Sequence, residues 1–386
     1  MSAREPVIAG LGMTELGRVY DRTASEFAAD AVRLAAADAG HGLGEIDGLL
    51  VSSGLTGDVK IDLQRRLGLH DLRLLSEVHA FGATAASMIA FAAAMVRSGA
   101  VDTVACVHAD TPLVPNRAAS AAYAGAAVRR TGWRGMVGAL GVLGANHHYA
   151  LAMRRHMLRY GTTHDQFGEI AVAQRAWAAM NPLAQQREPM TMADYHASRW
   201  IAEPLHLLDC CVVSNGGIAV IVTSAERAAS LRQPAVAVRG WAQAHPGRFL
   251  ERNDDLGLVT GAAQSGPAAM QMAGVELADI DVFELYDCYT ITVLLSLEDY
   301  GFCAKGEGGE FVASGVLGPS GTLKLNTGGG QLSSYYLWGM TPLSEAIIQA
   351  RGQAGERQVA DHGLVLVSGN GGALDHHSTL VLSSEA

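Results

Sequence analysis

Apolar and polar positions along the chain fall into two alternating periods, short strand-like runs and longer helical ones. Residues 7–10 are a short apolar run and predict a strand. Residues 25–39 place apolar side chains at helical spacing, with Ser25 as N-cap and Gly40 at the end. Residues 46–52 predict a buried strand. The Ala-rich stretch 83–98 has no polar face and predicts a helix buried all round. Residues 103–108 form another continuous apolar strand, as strands covered on both faces require. This βαβ alternation places the chain in the α/β class.

The pattern breaks between about 112 and 203. That stretch is richer in His, Arg, Trp and Met and predicts helices over 145–160 and 163–180. An insertion of this length usually acts as a lid or binding layer. Strand character returns over 209–224, chiefly 218–223. The second half restarts with a strand at 235–243, a helix near 261–273 and a strand at 282–285. Ala39-Gly40 precedes Ile46-Asp47 by the same spacing at which Ala273-Gly274 precedes Ile280-Asp281. Each pair closes a helix and leads into an apolar strand, so the expectation is a duplicated half. The halves are drawn as 1–229, with the insertion, and 230–386.

Composition narrows the function. The chain has 386 residues, of which 49% are hydrophobic and 17% charged, enough for one large or two ordinary cores. Its net charge of −10 and lack of a basic stripe argue against nucleic acid and against anionic membranes. No apolar run reaches the roughly 20 residues a bilayer span needs, and no secretory leader is evident, so a cytoplasmic protein is expected. Five cysteines without a C-x-x-C pair read as reduced thiols. The adjacent pairs His147-His148 and His376-His377 cannot share a helix face as metal ligands would, so no metal is expected. No Walker loop, dinucleotide fingerprint or nucleophile elbow is present.

Three polar sites in glycine-rich surroundings remain: 284–289 (Glu284-Leu285-Tyr286-Asp287-Cys288-Tyr289), 326–339 (opening Asn326-Thr327-Gly328-Gly329-Gly330) and 368–372 (Ser368-Gly369-Asn370-Gly371-Gly372). Their placement predicts loops converging on one pocket. A tyrosine at such a strand end is, taken alone, most often a packed residue with a satisfied hydroxyl. Asp287 is, taken alone, more often an N-cap than a catalyst.

Six segments in order resemble the thiolase superfamily, and its sterol-carrier-protein type in particular. They are Arg155-His156-Met157 with Tyr160-Gly161-Thr162, Leu208-Asp209-Cys210-Cys211, Glu284 to Cys288, 297–301, the Asn326 to Gly330 loop, and Arg351-Gly352-Gln353-Ala354-Gly355. The resemblance covers essentially the whole chain. It implies a duplicated thiolase fold, layered αβαβα, with a helical and loop insertion in the first half.

The departures decide the chemistry. Where thiolases carry the nucleophilic cysteine, this chain has His79. Where they carry the catalytic histidine, it has Tyr336. Tyr286 stands where the sterol-carrier type has histidine, and Ser368 replaces the second cysteine. A covalent acyl-cysteine route is therefore closed. The two tyrosines with His79 resemble the thiolase-like aldolases of steroid side-chain degradation, as do 198–205 and 300–308. That resemblance implies retro-aldol cleavage of a β-hydroxyacyl-CoA thioester. Tyr286 and Tyr336 would be its acid/base pair, with Tyr286 as base because it starts a helix after a strand, where the dipole favours phenolate. His79 would line the site, and Asp287 would orient a neighbour or cap a helix. Backbone N–H groups near His79 and Gly371 would form the oxyanion hole, and Gly329, Gly330 and Gly371 would contact the CoA thioester. No cofactor of its own is implied, coenzyme A being part of the substrate. Implied partners are a second copy of the chain, joined through strand 103–108, and a small OB-fold protein with a zinc ribbon. Trp133, Met136 and Trp200 of the insertion would shape the acyl pocket. Two other readings are an atypical acyltransferase, using Ser368 or Cys288, and a non-catalytic acyl-CoA-binding subunit.

Overall fold

The computed structural model describes residues 4–119, 122, 135, 138–142, 144–246 and 257–384; Trp133 and Met136 lie outside them. Eleven strands are described: β1 (Pro6–Met13), β2 (Gly48–Ser53), β3 (Leu74–Glu77), β4 (Thr103–Asp110), β5 (Trp200–Ala202), β6 (Leu205–His206), β7 (Gly216–Ser224), β8 (Val236–Ala244), β9 (Val282–Glu284), β10 (Leu364–Gly371) and β11 (His376–Ser383). Nine form one sheet in the order β3-β2-β4-β7-β1-β8-β11-β10-β9. Its two sides repeat each other. β2 runs parallel to β4, which pairs antiparallel with β7, which pairs antiparallel with β1; β9, β10, β11 and β8 do the same. Only two residue pairs, Val7 with Ala237 and Ile8 with Val236, join the sides through β1 and β8.

The duplicated sequence signal maps onto duplicated work. Gly40 and Gly274 both end helices in the left-handed conformation, at φ 83° and 71°. Asp47 then accepts the N–H groups of Asp102 and Thr103 at the start of β4, and Asp281 accepts that of Leu364 at the start of β10. Close helix–sheet packing explains the small residues. A Cβ on Gly10 or Gly12 would stand 2.1 Å from a carbonyl of helix Ala24–Ala39, and one on Gly240 would stand 2.1 Å from the Ala269 carbonyl.

Helices Thr84–Arg97 and Met340–Ala350 fill the space between the two sides of the sheet, in one core with residues from β1, β2, β4, β7, β8, β9, β10 and β11. Helix Ala24–Ala39 covers the outer face of the first side. Helices Ala262–Ala273 and Thr290–Tyr300, with the insertion helices Ala145–Tyr160 and His164–Ala179, cover the second. This is the five-layer αβαβα arrangement expected. Arg351 pins the halves together: it pairs with Asp38 at 2.8 Å and donates to the carbonyls of Ala9 and Pro234.

Three local expectations are corrected. The N-cap of helix Ala24–Ala39 is Thr23, in a capping box with Glu26, because Thr23 has the extended backbone a cap needs; Ser25 lies inside the helix. Helix Thr84–Arg97 is not buried all round, since Phe91 remains 37% exposed. The strand at 103–108 cannot join two copies, because β4 is hydrogen-bonded on both edges, to β2 and β7. The open edge on that side of the sheet is β3. Among the described residues no helix is long and apolar enough to cross a membrane.

Candidate active site

Three loops meet at Gly82, at the N-terminal end of the central helix Thr84–Arg97. The Tyr286 Cζ and the Asn370 carbonyl oxygen stand 2.2 and 2.1 Å from where a Gly82 Cβ would be. A Cβ on Gly339 would stand 2.4 Å from the Gly82 carbonyl oxygen, and one on Gly371 would stand 2.4 Å from the Ala80 carbonyl oxygen and 2.8 Å from the Gly82 amide. Only glycines permit this approach, and they bring 284–289, 326–339 and 368–372 to one point. Around it, Phe81 (φ 51°), Trp338 (φ 50°), Ala373 (φ 56°), Leu374 (φ 76°) and Asn326 (φ 49°) adopt left-handed backbone. Non-glycine residues in that region are costly and cluster where function requires them.

The phenols of Tyr286 and Tyr336 converge: their hydroxyl oxygens are 3.1 Å apart. Tyr286 is almost wholly buried and Tyr336 is half-buried. Tyr336 is set by its amide, which donates to the Ser214 hydroxyl at 2.8 Å. Burial, then the neighbouring Tyr336, pushes the Tyr286 phenol well above its ordinary value. The expected helix start is also displaced, because the helix begins at Thr290. The protonated form of Tyr286 is thus favoured, and the helix start on which its expected role as base rested lies further along the chain.

Asp287 points into the protein. Its carboxylate accepts the amide of Gln331 at 2.8 and 2.9 Å and that of Leu332 at 3.2 Å. It thus caps a π-helical turn, Gly330–Ser334, and burial pushes it up to about 7 despite those bonds. Gly330, at φ 58°, exists for this contact, since a Cβ there would stand 2.1 Å from an Asp287 oxygen. Gly329, at φ 90°, packs against Ala178 in the same way. Internal packing by itself requires glycine at both positions. Asn326 accepts the Leu285 amide at 2.7 Å and so ties the second loop to the first.

His79 is exposed beside the site, edge-on to Phe81 at 4.6 Å and to Trp338 at 5.5 Å. Behind Trp338 lies His108, stacked at 5.0 Å, bonded to the Ser52 hydroxyl and pushed down to about 4 by burial. It is a neutral packing partner.

The insertion braces these loops. Arg175 donates to the Ser333 hydroxyl, Asn181 to the Gly328 carbonyl, and the amides of Gln185 and Gln186 to the carbonyls of Ser334 and Ser333. His156 bonds Thr162 at 2.7 Å and Glu298 at 3.1 Å, which explains the Arg155-His156-Met157 and Tyr160-Gly161-Thr162 segments as a joint between insertion and second half. Two residues that sequence reasoning missed come from the same helix. Tyr149 stacks on Tyr289 at 4.4 Å, and Asn146 accepts the Tyr289 hydroxyl. No local signal marks them, because the contact spans more than 140 residues. Trp200, assigned to the acyl pocket, lies instead on the surface, 47% exposed and with its ring tilted against that of His206 at 3.7 Å.

Neither alternative nucleophile is placed for attack. Ser368 is fully buried and bonds His377 at 3.0 Å, on the face of β10 opposite Gly369 and Gly371. Burial pushes the Cys288 thiol up to about 12. Among the described residues no cluster of three or more His, Cys, Asp or Glu side chains could hold a metal ion.

Comparisons with known proteins show the family. Residues 242–384 match the family described as thiolase C-terminal domain-like. The chain is 36% identical to the steroid side-chain-cleaving aldolase of Thermomonospora curvata, over 89% of this chain and 90% of the relative. It is 33% identical to the 17-hydroxy-3-oxo-4-pregnene-20-carboxyl-CoA lyase of Mycobacterium tuberculosis, over 91% and 93%. Among solved structures, the Ltp2-ChsH2(DUF35) aldolase superposes with TM-score 0.87 at 34% identity, covering 99% of this chain and 98% of the other. A monomeric SCP2-thiolase-like protein from Mycobacterium smegmatis shares the fold, with TM-score 0.77 at 20% identity.

Proposed function

The chain belongs to the thiolase superfamily, among its thiolase-like aldolases, carbon–carbon lyases, and from that premise we propose that it cleaves β-hydroxyacyl-CoA thioesters by a tyrosine-driven retro-aldol reaction. The observation that carries this is the 3.1 Å contact between Tyr286 and Tyr336 at the N-terminal end of the central helix.

Tyr336 is the base and Tyr286 the acid. Tyr286 is buried and keeps its proton, and by donating to Tyr336 it stabilises a phenolate on the more open partner. That phenolate takes the β-hydroxyl proton. The O–H pair becomes the new carbonyl bond, the Cα–Cβ pair moves onto the thioester, and the enolate charge collects on its oxygen. Tyr286 then protonates Cα and recovers its proton from Tyr336, so the pair returns to its starting state. Backbone amides around Gly82 and Gly371, at a helix N-terminus, supply an oxyanion site. His79 lines the entrance. The chain needs no cofactor beyond the coenzyme A of its substrate.

The relatives' names point to steroid side-chain thioesters as the substrate class. The solved complex points to a DUF35-type partner, read here as an OB-fold protein with a zinc ribbon. A homodimer would form along the open edge of β3, where Leu75 is exposed.

The test is direct. Incubation of the protein with its partner and a β-hydroxyacyl-CoA should release a ketone or aldehyde and a shorter acyl-CoA. Tyr336→Phe should abolish release while leaving substrate binding intact. Cleavage by Tyr336→Phe at the unmodified rate would overturn the tyrosine mechanism. A unmodified protein that binds but never cleaves would be a binding subunit.

A further inference from the structure

His376 and His377 are neighbours in the chain, and β11 sends them to opposite faces of the sheet. His377 turns to Ser368 and Tyr300. His376 pairs with Gly371 across the β10–β11 ladder, and a Cβ on Gly371 would meet Phe81 and the Ala80 carbonyl. His376 is therefore on the face of the Gly82 loop, where its ring stacks on Phe81 with centroids 6.2 Å apart and planes within 13°. The mechanism above gives this residue no task.

On the other side of β11 the ladder to β8 closes with His377 opposite Ala244, so His376 and His245 are the next pair along. Directly opposed residues of antiparallel strands hold their Cβ atoms about 4.5–5.5 Å apart. Here two imidazoles meet, with centroids 5.2 Å apart and Nδ1 3.1 Å from Nδ1. His245 is exposed, and its Nε2 lies 2.9 Å from the Oε1 of Gln243. Donating Nε2–H to that oxygen leaves the His245 Nδ1 as a lone pair, so the proton between the rings belongs to His376. Burial, then His245, push His376 below its ordinary value, with His79 adding to them and Asp375 opposing.

We infer that His245 and His376 form a chelate for a divalent transition-metal ion of the zinc type, beside the Gly82 loop. Two imidazole nitrogens each about 2.0–2.1 Å from a tetrahedral zinc stand about 3.3–3.4 Å apart, close to the separation already present. A ligating histidine donates its second ring N–H to an acceptor, which fixes the tautomer, and Gln243 does this for His245. Neutral imidazole is the ligand form, and it selects zinc, copper and nickel over magnesium and calcium. On binding, the proton between the rings moves to Nε2 of His376, so the ring stays neutral and the ion takes the place of the hydrogen bond. The exposed His245 ring supplies the small rotation needed. Two protein ligands leave two tetrahedral positions for water or for an oxygen of a bound molecule.

Zinc ion itself is the probe. In calorimetric titrations at pH 7, His245→Ala and His376→Ala should each bind one equivalent fewer than the unmodified protein. His245 is exposed, so its replacement leaves the fold alone. Zinc that binds only the folded state raises Tm, and the rise should be larger in the unmodified protein than in His245→Ala. Gln243→Leu keeps both ligands and should weaken the site about 10–100-fold. The same number of equivalents at the same affinity in both histidine variants would mean zinc held elsewhere only, and overturns the inference. So does a lack of zinc binding by the unmodified protein. These readouts are binding and stability, so they stand apart from the aldolase reading.

Discussion

The hydroxyl of Tyr286 stands 3.1 Å from that of Tyr336, although 50 residues separate them in the chain. The pair exists because β9 and the turn before helix Met340–Ala350 end at the same level, and because Gly82 has no side chain to keep the Tyr286 ring away. One phenol is sealed and the other half-open, and burial raises the proton affinity of the sealed one.

That asymmetry sets a pH dependence. Burial raises the Tyr286 phenol above its ordinary value near 10, so its protonated form should persist into alkaline solution. The alkaline limb of kcat/KM for the unmodified protein should lie above the value of a free phenol. Tyr286→Phe removes the acid and should lower kcat about 10²–10⁴-fold. An alkaline limb well below pH 10 that vanishes in Tyr286→Phe would contradict this assignment.

Ser368 and Cys288 should be dispensable as nucleophiles. Ser368→Ala should leave cleavage within about twofold, an effect worth less than 0.5 kcal/mol by the usual conversion. Iodoacetamide at pH 7 should leave activity intact over the time that consumes free cysteine, because a thiol pushed up to about 12 is almost entirely protonated there. Rapid inactivation, blocked by substrate, would restore the cysteine route.

Asp287 should act on stability in the sense opposite to most carboxylates. Its folded value of about 7 lies above the unfolded value of 3.8. Between those values the folded state holds a proton that the unfolded state has released. Its contribution is therefore full below about pH 4 and is lost as pH rises through 7. Asp287→Asn cannot ionise, so the stability of the unmodified protein relative to Asp287→Asn should fall from pH 4 to pH 7.5 in denaturant titrations. A flat difference across that window would show that Asp287 stays ionised.

Arg351 should be a stability residue far from the chemistry. It joins Asp38 to the carbonyls of Ala9 and Pro234, across the two halves. Arg351→Met leaves that buried acceptor cluster without its cation and should cost about 3–5 kcal/mol, seen as a lower denaturation midpoint. The KM of whatever folds should not change.

The local rules of the chain were readable without coordinates. Apolar runs fixed the strands, Gly40 and Gly274 ended their helices, and the repeated Ile-Asp steps after them marked the duplication, because each depends on neighbours within a few residues. Tyr286, Tyr336 and the glycines around them were legible through their glycine-rich context and family resemblance. Tertiary structure alone decided the rest. Which turn Asp287 caps depended on the fold, since Gln331 and Leu332 lie 44 and 45 residues further on, and burial raised the Tyr286 phenol. β4 became an interior strand because β7, over 100 residues later, took its free edge. Tyr149 met Tyr289 only through packing between distant layers. Sequence carries short-range geometry well; proton affinity and unmet hydrogen bonds depend on everything that surrounds a group, and that is known only once the chain has closed on itself.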